Sequence, residues 1–183
     1  LYMKFKEYNF NNKRALVRVD FNVPINSEGV VADDTRIKMA IPTINKIIND
    51  GGSVVLMSHL GRPNDEPSPE FSLKQIVGSL ESLLEKKIIF ISDCISDSSL
   101  ETTKSLEKGS VVLLENLRFY KEEKQGDKDF ASKLANHADV YVNDAFGTAH
   151  RAHASTSIIA DYFPKDKMFG ILIENEILSV DKV

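Results

Sequence analysis

The chain has 183 residues, 23 of them Lys or Arg and 27 Asp or Glu, for a net charge of −4. Hydrophobic residues make up 42% and charged residues 27%, which excludes a disordered chain and suits one domain with its own core. A slightly acidic balance without a basic run excludes a dedicated nucleic-acid binder. No apolar stretch approaches the ~18 uncharged residues of a membrane-spanning helix.

The single Cys94 cannot form an internal disulfide, which fits a reducing compartment. No secretory signal is expected from the opening residues, and Met3, after Leu1 and Tyr2, reads as the natural start.

In chain order the pattern is strand then helix, repeated. Ala15–Asp20 is short and β-branched and predicts the first strand. Asp33, Asp34 and Thr35 supply cap residues for a helix to about Asp50. Ile37, Ile41, Ile44, Ile47 and Ile48 recur there at helical spacing. Pro42 predicts a break, with the longer piece starting at the proline, and Gly51 and Gly52 end it. Ser53–Ser58 is an almost unbroken apolar run, the mark of a parallel strand covered on both faces. Residues 59–71 predict a loop, and Ser72 caps a helix from Leu73 to Lys86. Lys87–Ile91 is a third strand, Asp97–Glu107 a weaker helix and Ser110–Leu114 a fourth strand. Asp129–Asn136 is helical and Asp139–Asn143 is a fifth strand. A loop of small and polar residues follows from Asp144 to Ser157. The tail from Gly170 to Val183 predicts an amphipathic helix, with a strand over 168–173 as the alternative. Such alternation predicts an α/β, Rossmann-like domain of three layers, around a parallel sheet of about six strands.

Open parallel sheets bind ligands beyond the carboxyl ends of their strands. After the first strand come Asp20, Phe21 and Asn22, and after the second His59, Leu60, Gly61 and Arg62. Glu115 to Arg118 follow the fourth, and Asp144 to His153, including His150 and Arg151, follow the fifth. Arg36 opens the first helix at the same edge. The chain has only six Arg against 17 Lys, yet Arg36, Arg62, Arg118 and Arg151 fall on this one rim. A guanidinium is a planar fork that grips phosphate or carboxylate with two bonds. Four forks predict a small ligand with several negative charges. Asp20 can accept from a ligand hydroxyl, and Asn22 can donate and accept. Together they point to a phosphorylated hydroxy acid.

No G-x-G-x-x-G follows the first strand, and no G-x-x-x-x-G-K-[ST] occurs, so no nucleotide-phosphate loop is expected. No cluster has metal-ligand spacing, so no metal site is expected in this chain.

Five segments carry a resemblance. They are Arg18 to Pro24 (RVDFNVP), Asp33 to Arg36 (DDTR), Ser58 to Pro63 (SHLGRP), Leu114 to Phe119 (LENLRF) and Asp144 to His153 (DAFGTAHRAH). In order and spacing the chain resembles the amino-terminal half of the phosphoglycerate kinase family. That resemblance implies a 3-phosphoglycerate-binding domain over residues 1–183, with a carboxy-terminal nucleotide-binding domain absent from this chain. It implies reversible phosphoryl transfer between 1,3-bisphosphoglycerate and ADP in glycolysis, with Mg2+ and ADP or ATP held by the absent domain. A fragment of this kind is expected to be inactive alone. The longer protein is expected to be a cytoplasmic monomer, binding neither nucleic acid nor membrane.

By matching position, the resemblance gives Arg36, Arg62, Arg118, Arg151 and His59 as the basic patch for the acid, and Asp20 and Asn22 as hydroxyl and orientation contacts. It adds the backbone of Phe21, Leu60 and Gly61, with His150 supporting from the side. Arg36 is the catalytic candidate, stabilising charge on the phosphoryl in flight. A phosphometabolite-binding domain without catalysis satisfies the same residues. The apolar stripe of the tail should normally pack on its own sheet or on the missing domain, with a binding partner as the third possibility. Arg14 and Arg18 read as structural, His137 as a helix-end residue and Lys121–Lys124 as a solvated face. His153 is divided between the site and a loop bond, and Cys94 reads as a packed residue.

Overall fold

A computed structural model describes residues 2–181. Six strands form one sheet: β1 (Arg14–Arg18), β2 (Ser53–Met57), β3 (Ile88–Ile91), β4 (Val111–Leu114), β5 (Val140–Asn143) and β6 (Lys167–Phe169). Their order is β3-β4-β2-β1-β5-β6, and every pairing is parallel. The α-helices are α1 (Thr35–Asn49), α2 (Val77–Leu84), α3 (Asp97–Lys104), α4 (Lys121–Gln125), α5 (Lys128–Ala135) and α6 (Ile171–Asp181). The α/β, three-layer architecture with six parallel strands is the expected one.

Period-two alternation divides each strand between two cores. Val54 and Leu56 face one side with Ile37, Ile44, Ile47 and Leu80. Val55 and Met57 face the other with Phe130, Leu134 and Ile159. Both faces of the central sheet are covered, which is why β2 and β4 are apolar runs.

Several boundaries differ from expectation. Helix α1 runs unbroken through Pro42. The proline is exposed, so the Lys38 carbonyl that its missing N–H cannot bond is on the side of water. Proline costs a helix interior ~3 kcal/mol. Full burial of Ile37, Ile44 and Ile47 contributes ~1.5–3 kcal/mol each, so packing wins. The helix expected from Leu73 begins instead with a 3-10 turn at Leu73–Ile76, and Ser72 caps it by accepting from the Lys74 N–H. Glu85, in the left-handed region at φ 54°, ends α2. Helix α3 stops at Lys104, short of Glu107. Both readings of the tail hold in part: β6 ends at Phe169 and α6 starts at Ile171.

The amino-terminal segment seals the β6 edge. Met3 bridges Met168, its N–H bonding the Lys167 carbonyl at 2.9 Å. Tyr2 stacks on Phe169 with ring centres 4.4 Å apart. The Tyr8 hydroxyl donates to Asp166 at 2.9 Å, and the Phe5 N–H to Glu174 at 3.1 Å. No described helix is long and apolar enough to cross a membrane.

Candidate substrate cleft at the carboxyl edge

Strands β4, β2, β1 and β5 are neighbours in the sheet, so the segments that follow them share one edge. They enclose a cleft of about 720 Å³ lined by Asp20, Asn22, Arg36, His59, Gly61, Arg62, Arg118 and Arg151. Pro63, Asn64, Lys124, Gly147 and Thr148 complete its wall. Five cationic side chains thus face a single carboxylate.

Local bonds hold the wall in shape. The Asn22 N–H bonds Asp20 Oδ1 at 3.1 Å. Asn22 Oδ1 in turn accepts from the Gly61 N–H at 2.8 Å, joining the β1 and β2 loops. Gly61 has φ +62°, and a Cβ there would lie 2.5 Å from the Phe71 ring, so this close approach requires glycine. Asn116 ties the β2 loop to the β4 loop, donating to the Leu60 and Phe71 carbonyls at 2.7 and 2.9 Å. Its Oδ1 accepts from the Arg118 N–H at 3.0 Å.

Arg36 reaches the cleft from the first turn of α1. It donates to the Asn22 carbonyl at 2.7 Å and to Asp20 Oδ1 at 3.4 Å. Its side chain is 52% exposed, so the ion pair with Asp20 orients more than it stabilises. Arg118 has a buried Nε without a partner. Burial and the neighbouring Arg18 and Arg151 lower its pKa. His59 is pushed down to about 2, by burial first and then by Arg18, Arg118 and Arg151. His153 is pushed down to about 4 for the same kinds of reason, and its buried Nδ1 has no partner. The positive field of the cleft therefore comes from arginine and lysine, not from imidazolium.

Three expected residues lie outside the wall. Phe21 is fully buried, and its N–H is committed to Ser58 Oγ at 3.0 Å. Leu60 lines an adjoining cavity of about 680 Å³, which shares Asn22 and Gly61 with the cleft. His150 is exposed and packs edge-on against Phe146, with ring centres 6.3 Å apart.

Glu123 differs from its reading as part of a solvated face, and Arg18, read as structural, has partners that reach the site. Glu123, in the segment taken for a solvated face, is fully buried in the short helix α4. Arg18 is 1% exposed and lies directly beneath His59. A signal for Arg18 existed: an arginine inside a doubly covered strand must be buried and so must have partners. His137 is no helix-end cation. It is buried, bonded to Thr103 and to the Cys94 carbonyl, and its pKa is lowered by that burial. Cys94 is a packed thiol, as expected, and burial raises its pKa.

The phosphoglycerate kinase family profile matches residues 5–183. The chain belongs to the phosphoglycerate kinase family. It is 47% identical over 205 aligned positions to a phosphoglycerate kinase of Porphyromonas gingivalis, covering 99% of this chain and 49% of that protein. It is 52% identical over 171 positions to one of Borrelia duttonii, covering 93% of this chain and 43% of that protein. Among solved structures, the phosphoglycerate kinase of Coxiella burnetii superposes with a TM-score of 0.85 at 36% identity, covering 97% of this chain and 43% of that one. That of Pyrococcus horikoshii gives 0.87 at 33% identity, covering 100% and 45%. The chain spans about half the length of the curated relatives it matches.

Proposed function

We propose that this chain is the acid-substrate half of a phosphoglycerate kinase, a phosphotransferase acting on a carboxyl group. The carrying observation is the convergence of Arg36, Arg62, Arg118 and Arg151 on one cleft with Asp20 as its single carboxylate. A guanidinium set of this size matches 3-phosphoglycerate, which brings a phosphate and a carboxylate. Asp20 suits the remaining hydroxyl. Arg36 is tethered to the Asn22 carbonyl and presents its free N–H groups to the cleft. In this reading it meets the carboxyl oxygen that attacks the γ-phosphoryl and stabilises the charge in transfer.

Among the described residues no group of three or more His, Cys, Asp and Glu side chains is placed to hold a metal ion. The cleft wall is made of cationic donors, a poor fit to Mg2+. We assign Mg2+ and ADP or ATP to the remainder of the longer relatives. Closure of that remainder onto this edge would exclude water and align the reactants. A cytoplasmic, monomeric longer protein completes the reading.

The test is an amide NMR titration of this chain with 3-phosphoglycerate. Shifts at residues 20–22, 36, 59–62, 118 and 151 are expected. A folded chain with none of these shifts would refute the assignment of the acid site to this domain.

A further inference from the structure

Beneath the cleft lies a chain of buried polar groups that ends on His59. Glu123 Oε1 accepts from the Ser155 N–H at 2.8 Å, and Oε2 accepts from the Ser155 hydroxyl. That hydroxyl accepts in turn from Arg18 Nε at 2.9 Å. Arg18 also donates to the Val19 carbonyl and, through its terminal nitrogen, to His59 Nδ1 at 3.2 Å. Glu123 and Ser155 are fully buried and Arg18 nearly so. None of these three lines the cleft, whereas His59 does.

The direction of every bond follows from donor chemistry. Arginine has only N–H groups to offer. His59 Nδ1 must therefore be the acceptor, which leaves its proton on Nε2. Ser155 has one hydroxyl proton. Since its oxygen receives Arg18, the proton goes to Glu123. The carboxylate thus balances the buried guanidinium and fixes the serine rotor, and the serine fixes the arginine plane.

We infer that Glu123, acting through Ser155 and Arg18, is a positioning residue that locks His59 as a neutral ring with its Nε2–H available to an anion in the cleft. The charged and titratable groups facing that ring are Arg18 below it, Arg118, Arg151 and His153 around it, and Asp20 on the same wall. The four on its cationic side all oppose its protonation. A neutral donor contributes direction without adding a positive charge to the three guanidiniums already there. The relay itself is independent of the ligand. Its consequence for affinity rests on the phosphorylated-acid reading above.

The first measurement is a long-range proton–nitrogen correlation spectrum of the ligand-free chain. His59 should show an unprotonated Nδ1 and a protonated Nε2, unchanged from about pH 8 to about pH 5. A proton on Nδ1, or a ring that titrates in that range, would overturn the relay. The second uses Glu123→Gln, which keeps the shape but would turn an N–H toward the serine oxygen, against the arginine. Its His59 nitrogens should move toward an averaged tautomer, and its dissociation constant for 3-phosphoglycerate should rise about ten-fold. Ser155→Ala should shift both readouts the same way, and it decides the matter if the Gln variant does not fold. A folded variant with wild-type His59 nitrogens, or with altered nitrogens and unaltered affinity, would overturn the positioning role. Failure of the wild-type chain to bind 3-phosphoglycerate, with the tautomer as stated, would count against the ligand and leave the relay standing.

Discussion

Arg36 shows how much hangs on the shape of one side chain. Lysine at this position could supply the charge, but its N–H groups all sit on one nitrogen, whereas the planar guanidinium holds the Asn22 carbonyl with one nitrogen and keeps others for the cleft. In a chain carrying the remaining half of the relatives' length, Arg36→Lys is expected to lower turnover by about a hundred-fold or more with the urea midpoint unchanged. Near-native turnover would remove Arg36 from the catalytic role. His59 carries a second prediction. Its folded pKa, about 2, lies below the unfolded value of ~6.5, so protonation favours the unfolded chain. Its contribution is complete above about pH 6.5 and is lost as pH falls from there toward about 2. Relative to His59→Asn, the wild type should lose about 2 kcal/mol of unfolding free energy between pH 7 and pH 5, read from urea titrations. Equal losses would show that the ring is not held neutral. Asp144 pulls the other way, because burial raises its pKa to about 6, and its protonation favours the folded chain as pH falls toward about 4. The arginines of the rim were legible because each follows a strand or opens a helix. The burial of Arg18 was legible from its place in a covered strand, but its partner was not, because Ser155 lies 137 residues away.

At the scale of elements, β1 to β5 were the easiest part to read, since short apolar runs rich in β-branched residues and bounded by turn residues favour strands. The three-residue β6 stood only as an alternative within the tail. Helix α1 was read with a break because local propensity was given more weight than its buried isoleucines. The exposed Pro42 still weakens that helix. Pro42→Ala restores an N–H to the Lys38 carbonyl and removes the ring, at the expense of a more flexible unfolded chain. A gain of about 1–2 kcal/mol is expected, seen as a higher urea midpoint with unchanged slope. A lower midpoint would mean that the ring contributes packing that its exposure does not reveal. Helix α4 escaped the sequence reading for another reason. Its five residues are almost all charged, and Glu123 alone turns inward. No periodicity exists in so short a piece, and the groups that make that burial tolerable, Ser155 and Arg18, are distant in sequence.

For the whole molecule, the strand order β3-β4-β2-β1-β5-β6 was beyond reach of the sequence, which fixes neither neighbours nor crossovers. The order is nonetheless what makes the site, since it sets the four loop-bearing strands side by side. Five cations at that edge give a chain of net charge −4 a locally positive mouth. Affinity for 3-phosphoglycerate should therefore fall several-fold as salt rises from about 0.01 M to about 0.15 M, measured by calorimetry. Affinity independent of salt would mean that hydrogen bonds alone hold the ligand.

The seam between the amino-terminal segment and β6 bears on how the molecule is made. Tyr2 and Met3 find their partners at 167–169, nearly the whole length of the chain later, whereas Phe5 and Tyr8 also pack on the nearby Phe10 and Lys46. A ribosome delivers the chain in order. Tyr2 must wait, its ring uncovered, until β6 emerges. The central strand β1, by contrast, can pair with β2 early. A nascent chain halted after residue 163 should therefore leave Tyr2 and Met3 open to protease, and their protection at that stage would show that the seam closes by some other contact.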